Sequence, residues 1–361
     1  MAPAPFENPL CGLLGIRHPV LLAGMAGGPT TPELVAAVSE AGGLGTFGLA
    51  GMSLDAVTEA VSRACALTDR PIGVNVLVAP PTPPDPAGQD PNVALAPLRR
   101  ELGLPDAPSA SRPAATPAEL VRAGLDAGAR VVSVGLGDPA AVRDLAEAAG
   151  APLIAMASSV EDAVLAVASG AQVIVAQGAE AGGHRSTFDV PADGVVPLVG
   201  TFALVPQVVS AVDVPVVAAG GVMDGRGLAA ALALGAQGVQ MGSRFLMADE
   251  SGASAGYRRR VSEARDTDTI ITRAVSGRPA RGLRNRLIDT LEAAGPPALG
   301  WPRQGGATTE IRAAAAEIDA AEMQALWAGQ AAGLARTSHP AGRIVQETVD
   351  EALTILRRLA G

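Results

Sequence analysis

Eight times between Pro19 and Met241 the chain repeats one unit: an apolar run, a glycine-bearing or polar loop, an amphipathic stretch, and a glycine before the next run. The runs are Pro19–Gly24, Gly43–Phe47, Pro71–Val78, Arg130–Val134, Pro152–Ala155, Ala171–Ala176, Val214–Ala219 and Gln237–Met241. They are continuously apolar rather than alternating, as strands buried on both faces are. The stretches between them read as helices, at Thr31–Ala41, Ser53–Ala66, Thr116–Ala127, Asp138–Ala149, Ser159–Ala168, Leu198–Val212 and Asp224–Leu234. Pro32 followed by Glu33, and Thr116-Pro117-Ala118-Glu119, are helix-start signals. The joints back to the strands share one form, EAGG, DAGAR, EAAGAP, ASGAQ and ALGAQ, with a glycine that ends the helix and opens the strand. Eightfold repetition of this unit predicts a (β/α)8 barrel, the TIM-barrel class.

Two stretches break the rhythm. Residues 79–113 are rich in proline (PPTPPDP and more), and because the repeat resumes after them they read as a surface insertion into a barrel spanning 1–245. Residues 246–361 carry no strand rhythm and read as a mostly helical extension. Amphipathic helices are expected in it at Ile311–Ala328 and Val345–Leu359, packing on the barrel or over its mouth. With 48% apolar residues a large core is available, and with 2% aromatic residues that core must be aliphatic. A formal net charge of -9 argues against nucleic acid and anionic membranes as partners. Two cysteines give no disulfide framework and fit a reduced cytoplasm. The start, MAPAPFENPL, lacks the pattern of a secretory signal, and no run is long enough to span a membrane. A small-molecule ligand is expected, and the sequence is compatible with a homo-oligomer.

Barrels of this class hold their sites on the loops after the strands. After the sixth run comes QGAEAGGHRS, where Gly178, Gly182 and Gly183 surround Gln177, Glu180 and His184. A loop histidine most often ties down its own loop; this one lies among glycines just past a strand, which points to a general base. Gly220-Gly221 and Gly242-Ser243 follow the seventh and eighth runs, where such barrels bind a phosphate through backbone N–H groups and a helix start. Gly24-Met25 follows the first run, and Asn75 sits in the third. Two dinucleotide-like patterns fail on context. The glycines Gly43, Gly45 and Gly48 lie within a strand, and Gly135-Leu136-Gly137 has no acid at the end of the next strand for a ribose. His18 lies at the amino end of the first run, the wrong rim, and His339 lies in a late loop. Nothing has metal-ligand spacing, and no G-x-S-x-G elbow is present. The basic run Arg273–Arg286 reads as a solvated face or as a fastening for the extension.

AGMAGGPTTPELVAAVSEAGGLG, PIGVN, QGAEAGGHRS, VVAAGGVMDGRGLAAALALGAQGVQMGSRF and TRAVSGRPARGLRN together resemble the nitronate monooxygenases (2-nitropropane dioxygenases) over about residues 8–290. NADH:quinone reductases and flavin-dependent enoyl-carrier-protein reductases share the barrel and a similar Gly-Gly-His loop. The resemblance implies non-covalent FMN, and oxidation of alkyl nitronates by O2 to a carbonyl compound and nitrite. It implies Gly24 and Met25 near the flavin ring, Asn75 and Gln177 on its polar edge, and Gly182 and Gly183 allowing close approach. Gly220, Gly221, Gln240, Met241, Gly242 and Ser243 would hold the phosphate end, and His184 would be the catalytic base. The rivals to this activity are an NAD(P)H-dependent flavin reductase and a non-catalytic flavin-binding protein. Val134-Gly135-Leu136-Gly137 and the length of the insertion depart from the family pattern and bear on substrate identity.

Overall fold

The computed structural model describes residues 8–82, 90–106, 108, 114–191, 193–296 and 299–361. Eight parallel strands form one sheet: β1 (Val20–Leu22), β2 (Gly45–Gly48), β3 (Ile72–Leu77), β4 (Val131–Gly135), β5 (Leu153–Ala157), β6 (Val173–Gln177), β8 (Val216–Ala219) and β9 (Gly238–Met241). The two-residue strand β7 (Gly183–His184) intervenes in sequence but belongs elsewhere. Neighbours run β1-β9-β8-β6-β5-β4-β3-β2, and Leu22 N–H donates to Leu44 O at 2.9 Å, joining β1 to β2 and closing the ring. The barrel expected from the repeat is therefore present, with its strands within a few residues of the apolar runs. The second strand is rich in glycine because a helix lies directly on it. A Cβ at Gly45 would stand 2.0 Å from Val35 O.

Side chains sort by the pleat. Leu21, Leu44, Val131, Ile154, Val173, Val175 and Val217 share an inner core, whereas Val20, Leu22, Val132, Ile174 and Val216 pack outward against the helices. A short helix not read from the sequence, Pro9–Leu14, joins Leu10, Cys11 and Leu14 to the inner core at the amino end of the strands. It is fastened there by Asn8 Nδ2 donating to Gln237 O at 2.7 Å.

The region after Met241 differs from expectation in two ways. It holds two strands, β10 (Thr269–Thr272) and β11 (Ala280–Leu283), which with β7 form an antiparallel sheet in the order β10-β11-β7. Each is four residues long, too short to show alternation, and Ala280–Leu283 lies inside the basic run Arg273–Arg286, where charge masked it. The long helix expected at Ile311–Ala328 is instead Arg303–Glu317, followed by the left-handed Asp319 and a 3-10 turn at Ala321–Met323. The insertion is also more than a loop: Pro91–Glu101 is helical, and its Leu95 and Leu98 share a core with Val275, Leu287, Ile288 and Ile311. The remainder of that loop, 83–89, 107 and 109–113, lies outside the described residues.

The helix expected at Val345–Leu359 spans Ala341–Ala360 and lies against the helices Gly225–Ala233 and Pro32–Glu40, beside the β9–β1 junction. Ile344, Val345, Val349 and Ala352 join the outer core there. Gly225 permits this seat, because a Cβ on it would meet Ala352 N at 2.4 Å and Thr348 O at 2.6 Å. The obstacle is backbone and cannot rotate away. Gly225→Ala should lower stability by about 1–3 kcal/mol through overpacking, read as a shift in the denaturant midpoint with unchanged slope.

Candidate active site

The His184 loop leaves β6 and is tied to the extension by strand pairing. Residues Gly183 and His184 pair antiparallel with Arg281 and Ala280. The buried Gln177 serves this loop: its Nε2 donates to His184 O at 2.9 Å, and its Oε1 accepts from Ser186 N–H at 2.8 Å. Its amide oxygen is thus spent on the loop and not free for a ligand edge. Glu180 is likewise committed, since both its oxygens accept from Thr201 N–H, at 3.0 and 2.8 Å, at the start of the helix Thr201–Ala211.

The sequence-predicted glycines divide into two groups. A Cβ on Gly24 would stand 2.6 Å from Asn75 Cβ; on Gly182, 2.6 Å from Ala328 C; on Gly220, 2.9 Å from Ala181 N. Those three admit other parts of the protein. Gly183 (φ 79) has nothing within 4 Å of such a Cβ, Gly221 (φ 76) only Glu180 Cβ at 3.8 Å, and Gly242 nothing nearer than 3.5 Å. These three border open space and could admit a ligand. Asn75 is buried with Nδ2 donating to Ser133 Oγ at 3.0 Å. Gln240 Nε2 has only a weak 3.9 Å contact to Met156 Sδ. Met241 turns its side chain into the outer core, leaving its backbone alone available. Gly242 caps the short helix Ser243–Leu246 with no side-chain bond to its first N–H groups. Ser243 Oγ accepts from Gly329 N–H at 2.9 Å and keeps its own proton to donate. Open glycines, orphan N–H groups and a spare amide and hydroxyl along the ends of β8 and β9 fit a phosphorylated cofactor.

His184 is half-buried and meets residues that the sequence reading did not single out. Its Nε2 lies 2.9 Å from Ser276 Oγ, and that hydroxyl lies 3.1 Å from Arg278 O. Every group is satisfied if Nε2–H donates to Ser276 and Ser276 donates to Arg278 O, an assignment from the network that leaves Nδ1 with the lone pair. Trp301 stands edge-on to the imidazole with centroids 5.0 Å apart, and Trp327 is tilted to it at 5.6 Å. Burial pushes the His184 pKa down to about 3, and the charges of Arg278 and Arg312 push the same way.

Three buried arginines hold the surrounding loops. Arg185 donates to Gln177 O and Gly178 O, Arg278 to Leu136 O and Thr187 O, and Arg281 to Ala179 O. Carboxylates act on them from a distance, Glu180 on Arg185 and Arg281, Asp162 on Arg185 and Arg278, and Asp189 on Arg278. Burial lowers Arg185 and Arg278 to about 10, which leaves both protonated at neutral pH. His18 lies at the opposite rim beside Gly42, and His339 packs by Ala248, both away from this cluster. No group of three or more His, Cys, Asp or Glu among the described residues could hold a metal, and no described helix is long and apolar enough to cross a membrane.

A closed parallel barrel with its open glycines, spare polar groups and one imidazole gathered at the carboxyl ends of the strands is the architecture of a (β/α)8 enzyme. The nitronate monooxygenase family description matches residues 7–351, and the chain belongs to that family of oxidoreductases. It is 38% identical over 349 residues to a probable nitronate monooxygenase of Staphylococcus saprophyticus, covering 96% of this chain and 98% of the relative. It is 38% identical over 359 residues to one of Staphylococcus aureus, covering 97% and 99%. Among solved structures it is similar to nitroalkane oxidase from Streptomyces ansochromogenes, with a TM-score of 0.87 at 36% identity over 98% of this chain and 100% of that one. It is also similar to FabK from Thermotoga maritima, with a TM-score of 0.77 at 32% identity over 98% and 99%.

The lowered His184 pKa fixes a pH dependence. As pH falls below the unfolded value of 6.5, the unfolded chain takes up a proton that the folded protein refuses until about pH 3. Stability should therefore decline across that window, and His184→Asn should flatten this part of the decline in denaturant titrations at stepped pH.

Proposed function

We propose that this protein oxidises alkyl nitronates with O2, giving a carbonyl compound and nitrite, with non-covalently bound FMN. The observation that carries the reading is the imidazole of His184 at the barrel mouth, held neutral first by burial and further by the charges of Arg278 and Arg312. Positive charge that disfavours imidazolium favours an anion in the same place, and a nitronate is an anion. Bound FMN would supply the electron-accepting chemistry. Gly221, Gly242 and Ser243 would hold its phosphate end, with Gln240 and Asn75 nearer its ring and Gly183 leaving room for it. Gly24, Gly182 and Gly220 would act indirectly, by letting the walls of the site close.

His184 then has two roles. With a neutral nitroalkane, Nδ1 would take the α-proton, while Ser276 on Nε2 keeps the ring in place. A base of such low proton affinity is a weak one, so the site suits the preformed nitronate better than the neutral acid. With the nitronate no carbon proton has to move, and the imidazole serves as a neutral polar wall. Both tryptophans shield that ring from water.

The deciding experiment mixes purified protein with a nitronate in air, and separately with NADH without oxygen. Flavin-dependent nitrite release supports the reading; rapid bleaching by NADH without nitrite from any nitronate would identify a reductase instead. His184→Asn should lose at the lower end of general-base effects, on the order of 10² in rate, on a neutral nitroalkane and much less on the matching nitronate, with flavin retained. Equal losses on both would remove the proton-transfer role. Gly242→Glu sets a carboxylate against the phosphate and should yield folded, colourless protein; full flavin content would overturn the phosphate assignment.

A further inference from the structure

The chain has only two tryptophans, and both pack on one side chain, the imidazole of His184. They reach it from separate segments held by separate means. Trp301 is bound to the start of the proline-rich insertion by a reciprocal pair of hydrogen bonds. Its N–H donates to Thr82 Oγ1 at 2.7 Å, and Thr82 N–H donates to Trp301 O at 3.0 Å. From below it is set against Gly277, where a Cβ would stand 2.7 Å from Trp301 N, so the residue after Ser276 has no room for a side chain. Trp327 is fixed by the buried Tyr257, whose hydroxyl donates to its carbonyl at 2.6 Å, and by Leu283 N–H of β11, which donates to Leu326 O at 2.9 Å. Neither indole is core filler in the ordinary sense. Both keep part of their surface open, as does His184, and a Cβ on Gly183 would meet nothing within 4 Å. Both indoles touch the imidazole, and all three residues are only partly buried, at a loop where Gly183 borders open space.

We propose that Trp301 and Trp327 are the specificity-determining residues of this site, forming the wall that meets the alkyl part of the substrate and restricts it to compact groups, and that Thr82 of the insertion is the positioning residue for Trp301. The proposal rests on the nitronate reading for the identity of the substrate, but not for the geometry of the wall. A nitronate has a charged head and an apolar body. The arginine charges suit the head, and rigid indole faces beside the imidazole suit a short alkyl body, because each presents a large apolar area with few torsions to immobilise. The same indoles exclude water from the imidazole. The charged groups acting on that ring, Arg278 from the loop before β11 and Arg312 from the helix Arg303–Glu317, would remain when an indole is removed.

The test compares flavin-loaded wild type with Trp301→Leu, Trp327→Leu, the conservative Trp301→Phe and Trp327→Phe, and Thr82→Val. One readout is the ratio of kcat/KM for a long-chain over a short-chain primary nitronate. A wall that restricts size predicts that the leucine variants raise this ratio at least about tenfold, within the range that apolar pocket contacts can set, with the phenylalanine variants between. The second readout needs no nitro compound: NMR titration of the imidazole C–H signals, assigned to His18, His184 and His339 by difference with His184→Asn. The leucine variants should move the His184 midpoint upward toward 6.5, and Thr82→Val should move it the same way by less. An unchanged ratio with a shifted midpoint would overturn the specificity role. An unchanged midpoint in folded, flavin-loaded variants would overturn the wall itself. If the leucine variants do not fold, the phenylalanine and Thr82→Val variants decide on the same readouts. If wild type turns over no nitronate, the function reading fails, and the titration still judges the geometry.

Discussion

The antiparallel pairing of Gly183–His184 with Ala280–Arg281 is the contact on which the site depends. A parallel barrel ends in loops at its carboxyl rim, and covering such a loop buries backbone N–H and C=O groups that must then be paired. Here the covering segment supplies those partners itself. The pairing also sets the register of everything that follows. It puts Ser276, four residues before β11, beside His184 Nε2, and it carries Arg278 under the loop after β4. Gly282 and Leu283 then receive Leu326 and Trp327.

The buried arginines follow from the same covering. Arg185, Arg278 and Arg281 address the backbone problem from the side-chain direction, each donating to carbonyls of the rim loops. The carbonyls accept from some of the guanidinium N–H groups, leaving Arg185 Nε and Arg278 Nε without a hydrogen bond, and they do not neutralise the charge, which is weakly screened where water is scarce. Structural support and electrostatic character of the mouth are thus produced by the same three side chains.

Much of the barrel was legible in the sequence because each strand is an apolar run bounded by glycine, a signal local to a few residues. The place of His184 and of Gly220-Gly221 and Gly242-Ser243 just after β6, β8 and β9 was legible for the same reason, since it is a local fact. What was not legible is what depends on separation. Ser276 is ninety-two positions from His184, and no spacing encodes their contact. What faces Gly24, Gly182 and Gly220 was not legible, because sequence cannot say whether a ligand or a neighbouring part of the chain occupies the space a Cβ would take. One available signal went unused. In a chain with 2% aromatic residues, two tryptophans outside the repeat are costly exceptions that invite a shared explanation.

The helix Ala341–Ala360 seals the seam where the first and last barrel strands meet, resting on helices from the beginning and the end of the repeat. During synthesis this helix emerges after both of its partners and after the entire rim-covering region. Until then the nascent barrel lacks its cover over Gly225 on one side and Ala41 on the other, where Ala352 and Gly342 later pack. A seam left uncovered is sticky to other unfinished chains. The ring can therefore be drawn by its own backbone well before it is watertight, and the interval between those two events is when a translating cell has to keep neighbouring copies apart.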